Sequence, residues 1–323
     1  MRRALEPADY PFFDYRRFTF SLGVETSKGI WLAGSTAVYH DNITRQMIVR
    51  GDLVDQADLI YQKMAKTLAA AHLDTYHIIH LVQNVTPAAL PDLEKLAALH
   101  RIKFLGEKLP SIQTIVVKRL LRDEALIEIE ALASRTGESP VLHLPAVQAQ
   151  SAQEAQGCLE QEMREAGCEQ GRVLRTLCLR SAGFFGERMP TAPTSGAFSE
   201  VIVPCLPDRS EGFQTQTTCA RSGDVIYASA SGDASLGGIV EQTRDAYARL
   251  EKSLKAAGAG FADVVKTTEF ITPAGLKDYR GTADVRRQIF DAPYPAATGV
   301  ICEALPDTGS QILVEAVAVM EHV

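Results

Sequence analysis

No two cysteines of this chain form a CxxC pair, and no histidine lies at zinc-finger spacing from one, so the ligand patterns of structural zinc sites are missing and no metal or cofactor is expected. No stretch is long and apolar enough to span a bilayer. The opening Met1-Arg2-Arg3 runs into Glu6, Asp9 and Pro11 instead of an apolar segment, which argues against a secretory signal and makes a reducing, cytoplasmic setting the default expectation. Long basic runs are also lacking. Arg16-Arg17, Lys118-Arg119 with Arg122, and Arg286-Arg287 are each too short to track a phosphate backbone, and the formal net charge is −7. Nucleic acid and membrane are therefore not expected partners. The six cysteines are Cys158, Cys168, Cys178, Cys205, Cys219 and Cys302. With Cys158 and Cys168 in and just after an expected helix and Cys178 in the next strand, they read as buried free thiols.

What the chain does have is apolar material, 46% of its residues, enough for one large core or two to three small ones. GIWLAGSTAV, from Gly29 to Val38, reads as a strand. From Asp52 to His72, Leu53, Ala57, Ile60, Tyr61, Met64, Leu68 and Ala71 recur at helical steps, predicting an amphipathic helix with one buried face. A strand over Tyr76–Thr86, a helix over Leu90–Phe104 and the strands IQTIVVKRLL and ALIEIEALA follow.

The last third repeats this order: GDVIYASAS, a helix over Ile239–Ala257, VVKTTEFI, a helix over Leu276–Phe290, then ATGVICEAL and QILVEAVAVM. The middle is fainter but aligns. LEQEMREAGC matches LEKSLKAAGA, VLRTLCL matches VVKTTEF, and VIVPCLPD matches VICEALPD. Leu68, Met163 and Leu254 then fall at near-equal intervals, as three copies of one unit require. The middle copy has SAGFFGERMPTAPTSGAFSE, rich in turn formers, where its second helix belongs.

The order strand, strand, helix, strand, helix, strand, strand, together with GGIVEQTRDAYARLEKSLKAAGAGFADVVKTTEFIT, PYPAATGVICEALP and LIEIEALA, resembles the Rid (YjgF/YER057c/UK114) family, and more distantly the chorismatases. The resemblance implies an α+β fold of tandem Rid/chorismate-mutase-like units, with mixed sheets carrying helices on one face. It divides the chain into an arm over 1–14 and units over 15–137, 138–209 and 210–323. Rid proteins are usually trimers with sites between subunits, so three units in one chain would make a monomeric pseudo-trimer, with homo-oligomers as the alternative. The EPADYPFFDYRRF opening, dense in aromatics, reads as an arm packed over another unit or as a lid on a cleft.

Family members hydrolyse enamines and imines, clamping the substrate carboxylate with an Arg and assisting water attack with a closing-strand Glu. The Arg position reads here as Gln113, Ala297 and about Phe198, so no copy carries the Arg and turnover of 2-aminoacrylate is expected to be weak or absent. The Glu reads as Glu315 and as Glu128, with Glu130 on the same face of the strand two residues on. Gly34, Ser229, Thr114, Thr298 and Tyr294 are the expected lining for a small-molecule substrate. The phenol of the family opening is replaced by Phe20, with Ser21 kept, and by about Gln216. Arg16, Arg17, Arg180, Arg188 and Arg221 are candidate substitutes for the missing Arg. His77 and His80 should face opposite ways, and His143 reads as a core-edge histidine. Three activities remain open: a diverged Rid-type hydrolase, a chorismatase-like enolpyruvyl ether hydrolase, and a non-catalytic binding module. The endoribonuclease label that the family also carries gains nothing from the acidic balance.

Overall fold

A computed structural model describes residues 2–104, 109–184, 196–221 and 223–321; Arg188 and most of the turn-rich middle segment lie outside these. Three mixed sheets dominate. The first uses β1 (Gly23–Thr26), β2 (Gly29–Leu32), β3 (Ser35–Thr36), β4 (Ile78–Val85), β5 (Ser111–Val116) and β6 (Ile127–Ala133), with α1 (Leu53–Ala69) and α2 (Leu93–Lys103) between strands. The second uses β7 (Val141–His143), β8 (Val147–Ala149), α3 (Ala152–Glu165), β9 (Val173–Ser181), β10 (Ala197–Val203) and β11 (Phe213–Ala220). The third uses β12 (Val225–Ser231), α4 (Ile239–Ala256), β13 (Val264–Ile271), α5 (Thr282–Ile289), β14 (Ala296–Ile301) and β15 (Ile312–Val319).

The central strand order is the same in each: β2-β6-β4-β5, β7-β11-β9-β10 and β12-β15-β13-β14. The last strand of each set lies antiparallel between the first strand and the strand after the helix, which in turn runs parallel to its other neighbour. Even the irregularity repeats, with the register slipping between Ile78 and His80, Val173 and Arg175, and Val264 and Lys266.

Local causes are visible. Asp52 caps α1 by accepting from the Val54 and Asp55 amides, and Ser151 caps α3 through Glu154. The apolar faces read from the sequence are the buried ones, with Leu68, Met163 and Leu254 each packed on their own sheet. A further apolar cluster joins all three sheets. It holds Ile115, Val117 and Leu120 from the first, Val201, Val203 and Leu206 from the second, and Val300, Cys302 and Leu305 from the third.

Phe213–Ala220, which follows the expected 209/210 boundary, pairs with β7, β8 and β9 and so lies in the second sheet, with Gln216 level with Leu177. Several expectations need correction. The single strand over Gly29–Val38 breaks after Leu32, because the Gly34 amide turns to bond Ala297 O at 3.0 Å in the third sheet. The helix over Leu276–Phe290 is interrupted and becomes regular only from Thr282, with Gly275 and Gly281 in the broken part. Cys168 and Cys219 are not free thiols but a disulfide between the end of α3 and β11; a Cys pair 51 residues apart gives no sequence signal of pairing. Cys158, Cys178, Cys205 and Cys302 are free, as expected.

Candidate functional site

Strand register decides which side chains share a level. Val82 pairs with Glu130, Leu177 with Gln216 and Thr268 with Glu315, so Glu130, Gln216 and Glu315 stand at one level. Glu128 stands two residues away, level with Gln214 and Leu313. The sequence equated Glu128 with Glu315; the register pairs Glu130 with Glu315 instead. By the same reasoning Gln113 shares its level with Ser199 and Thr298, while Ile112, Phe198 and Ala297 share another. Ile112, and not Gln113, is thus level with Ala297, and neither is an Arg.

Two cavities receive these residues. The larger, about 690 Å³, lies between the first and third sheets and is lined by Gly34, Glu128, Ala297 and Thr298 among the predicted residues. The smaller, about 70 Å³, takes Gln113 and Glu315 together with Glu130, His80, His143, Arg175 and Lys266. Thr114, Ser229 and Tyr294 line neither. Thr114 instead accepts from Gln83 Nε2 at 2.7 Å, Ser229 bonds Ser199 at 2.7 Å, and Tyr294 O accepts from Ser21 at 2.6 Å.

In the small cavity the charges are consumed. Arg175 grips Glu315 with Nε at 2.8 Å and Nη2 at 2.6 Å, and Ser199 Oγ donates to the same carboxylate at 2.6 Å. Lys266 pairs with Glu130 at 2.5 Å. His80 and His143 stack with centroids 3.5 Å apart, so His143 meets the first sheet face to face. Arg175, Lys266 and His80 occupy the same place after the three register slips. Three basic groups are thus gathered where the sheets meet.

The floor of the large cavity is different. Glu128 is 5% exposed, and no hydrogen bond or ion pair reaches its carboxyl among the described residues. Burial, reinforced by the neighbouring Glu130 charge and only partly offset by Lys266, pushes its pKa up to about 8. Glu130 goes the other way: burial opposes ionisation, but Lys266 and Thr298 hold its carboxyl below the usual range. Thr298 stands between the two carboxylates, bonded to Lys266, to Glu130 and to the Gly34 amide. A β-carbon at residue 34 would come within 2.2 Å of Glu128 Oε1, so only glycine leaves that oxygen its place.

The walls supply cations and rings. Arg286 gives Nη1 to both oxygens of Glu269, at 2.9 and 2.8 Å, and Nε to Thr19, leaving Nη2 outside these bonds. Tyr279 also donates to Glu269, at 2.6 Å. Arg17, Arg119, Arg122, Arg280 and Arg287 line the same cavity. Of the substitutes expected from sequence, Arg17 alone among the described residues is here; Arg16 sits over the Tyr15 ring, Arg180 is buried beside Glu200, and Arg221 lines neither cavity. Arg286 was read only as a short basic spot, and its contact with Glu269 across two elements leaves no sequence motif.

Lys63 escaped sequence reasoning because it falls on the buried face of α1. Its ammonium donates to Thr36 O at 2.7 Å and to Val38 O, and lies 5.5 and 5.2 Å from the Phe12 and Phe13 rings. Burial pulls its pKa down to about 7. These contacts fix the opening arm, whose Tyr10 and Phe13 form part of the cavity wall. The arm also crosses to the third part of the chain, where Arg2 donates to Pro293 O at 2.9 Å.

Parts of the chain are similar to known proteins. Residues 209–320 match the family described as Endoribonuclease L-PSP. Human 2-iminobutanoate/2-iminopropanoate deaminase is 33% identical over 129 residues, covering 40% of this chain and 86% of that protein. The chain belongs to the Rid family. The mouse deaminase of the same name is 36% identical over 110 residues, 34% of this chain and 79% of that protein. A solved Rid-family structure from Mycobacterium tuberculosis, of the YjgF/YER057c/UK114 group, is 34% identical over 31% of this chain and 82% of its own, with a TM-score of 0.29. Each of these Rid relatives is matched by about a third of the present chain. No described helix is long and apolar enough to cross a membrane, and no described cluster of His, Cys, Asp and Glu could hold a metal ion.

Proposed function

We propose that this chain is a single-chain pseudo-trimer of three Rid-type units whose working cleft lies between the first and third, and that it hydrolyses an imine or enamine carboxylate to a 2-oxo acid and ammonia. One observation carries the reading: Glu128, buried and unpaired, faces a 690 Å³ cavity with its pKa raised to about 8. An acid that is still protonated at neutral pH can give its proton to an imine nitrogen or an enamine carbon. Water then adds to the carbon of the C=N bond. The Glu128 carboxylate takes a proton from that water, and the carbinolamine collapses, breaking the C–N bond and releasing ammonia. The Arg286 Nη2 group provides a donor for the substrate carboxylate in place of the missing family Arg.

In this reading Glu315, gripped by Arg175, holds the centre of the molecule together, and Thr298 and Gly34 position Glu128. The repeated strand order, the repeated register slips and the apolar cluster drawn from all three sheets support the three-unit arrangement. The test is ammonia release from imines generated in place by an amino-acid oxidase. Glu128→Gln should lower turnover by roughly 10²–10⁴ while Glu315→Gln keeps it. Equal loss in both variants, with both folded, would move the site elsewhere.

A further inference from the structure

The cavity is large for a small imino acid. Its 690 Å³ falls in the range of roughly 300–1,000 Å³ that encloses ligands of drug size. The reacting end, at Glu128, is buried, whereas the mouth is both apolar and cationic. Phe18 and Phe20 stack with centroids 5.6 Å apart, and Phe18 remains 49% exposed. Arg122 comes from the turn between β5 and β6, Arg280 from the segment just before α5, and both line the cavity. Neither guanidinium is tied to a carboxylate among the described residues. By contrast Arg17, Arg119 and Arg287 at the same mouth are paired with Asp14, Asp123 and Asp284.

We propose that the substrate is a dianion: a 2-imino or enamine acid with an aromatic body and a second anionic group that lies between Arg122 and Arg280. This rests on the hydrolase reading for its reacting end, but the recognition it describes is independent of turnover. The carboxylate beside the reacting carbon meets Arg286, near the floor. The ring lies against Phe18 and Phe20, where aromatic pairs gain from offset or edge contacts. The distal anion supplies a counter-charge for two arginines that line the cavity from different parts of the chain, and planar guanidinium groups suit carboxylate or phosphate equally.

The experiment separates binding from chemistry by using stable 2-oxo acids, which are the products. Titration calorimetry with pyruvate, phenylpyruvate and 4-carboxyphenylpyruvate should show affinity rising in that order. Arg122→Gln and Arg280→Gln should each weaken the dicarboxylate about five- to tenfold, as loss of one charge-assisted contact predicts, and leave phenylpyruvate unchanged. Both arginines are exposed, and unchanged thermal melting would confirm that the variants fold. Equal affinity for pyruvate and the dicarboxylate, or equal weakening of all three ligands by the variants, would overturn the proposal. The matching imines are then assayed for ammonia release. Selective binding of the dicarboxylate without turnover leaves the recognition standing and removes the hydrolase reading. Turnover with no preference for the dicarboxylate does the reverse.

Discussion

Glu128 Oε1 occupies the space beside Gly34 where any other residue would carry its β-carbon, 2.2 Å away. Thr298 Oγ1 is 2.7 Å from the same point and is held by Lys266, Glu130 and the Gly34 amide. Thr298 therefore cannot retreat, and the end of the Glu128 side chain must. Gly34→Ala is expected to displace the carboxyl and lower kcat/KM by about tenfold or more, at a stability cost of about 1–3 kcal/mol, as overpacking gives. Steady-state assays and urea melts on one preparation would separate the two effects. Full activity in Gly34→Ala would show that Glu128 is not held where it reacts.

The raised pKa of Glu128 also has a direction in pH. The folded group titrates near 8 and the free one near 4.5, so the folded state holds the extra proton between those values. The stability this contributes is fully present below about pH 4.5 and is lost as pH rises through about 8, by roughly 1.4 kcal/mol per pH unit at most. Glu128→Gln should remove that slope, so the difference in unfolding free energy between wild type and variant narrows toward pH 4.5. Activity should follow the protonated acid and fall above about pH 8, with Glu128→Gln lowering kcat by roughly 10²–10⁴. A flat difference across this window would rule out an unpaired carboxyl.

Arg175 and Glu315 should behave as a structural pair. Arg175→Met leaves a buried carboxylate without its bidentate partner and is expected to cost about 3–5 kcal/mol. The double variant Arg175→Met/Glu315→Leu should recover most of that loss, since both charges are then gone. Chemical denaturation of the two singles and the double makes a complete cycle. Additive losses would mean the two side chains do not depend on each other.

Lys63 ties the opening arm to the cavity. In Lys63→Met the Thr36 and Val38 carbonyls lose their donor and Phe12 and Phe13 lose the cation between them. We expect a loss of about 1–3 kcal/mol, and faster cleavage of the arm in limited proteolysis. An arm that resists protease as in wild type would mean its remaining contacts suffice.

Much of the architecture was readable from the chain alone. The helical faces of α1 and α4, the β-rich runs that follow them and the faint middle copy are local patterns, because burial on one side imposes a period on neighbouring residues. The sheet that FQTQTTCA joins was not readable in the same way. This segment carries an ordinary strand pattern, and nothing within it specifies whether it opens one sheet or closes another.

The sequence by itself determined the repeated pattern of helices and strands and a short set of candidate carboxylates. The tertiary structure decided the surroundings of those carboxylates. Glu128, Glu130 and Glu315 look alike in sequence, yet Glu130 meets Lys266, Glu315 meets Arg175, and Glu128 faces a cavity with no hydrogen bond or ion pair among the described residues. The physical reason is that a carboxyl's proton affinity depends on its desolvation and on the charges around it. Those charges arrive from other sheets, through a register and a packing that no local pattern encodes.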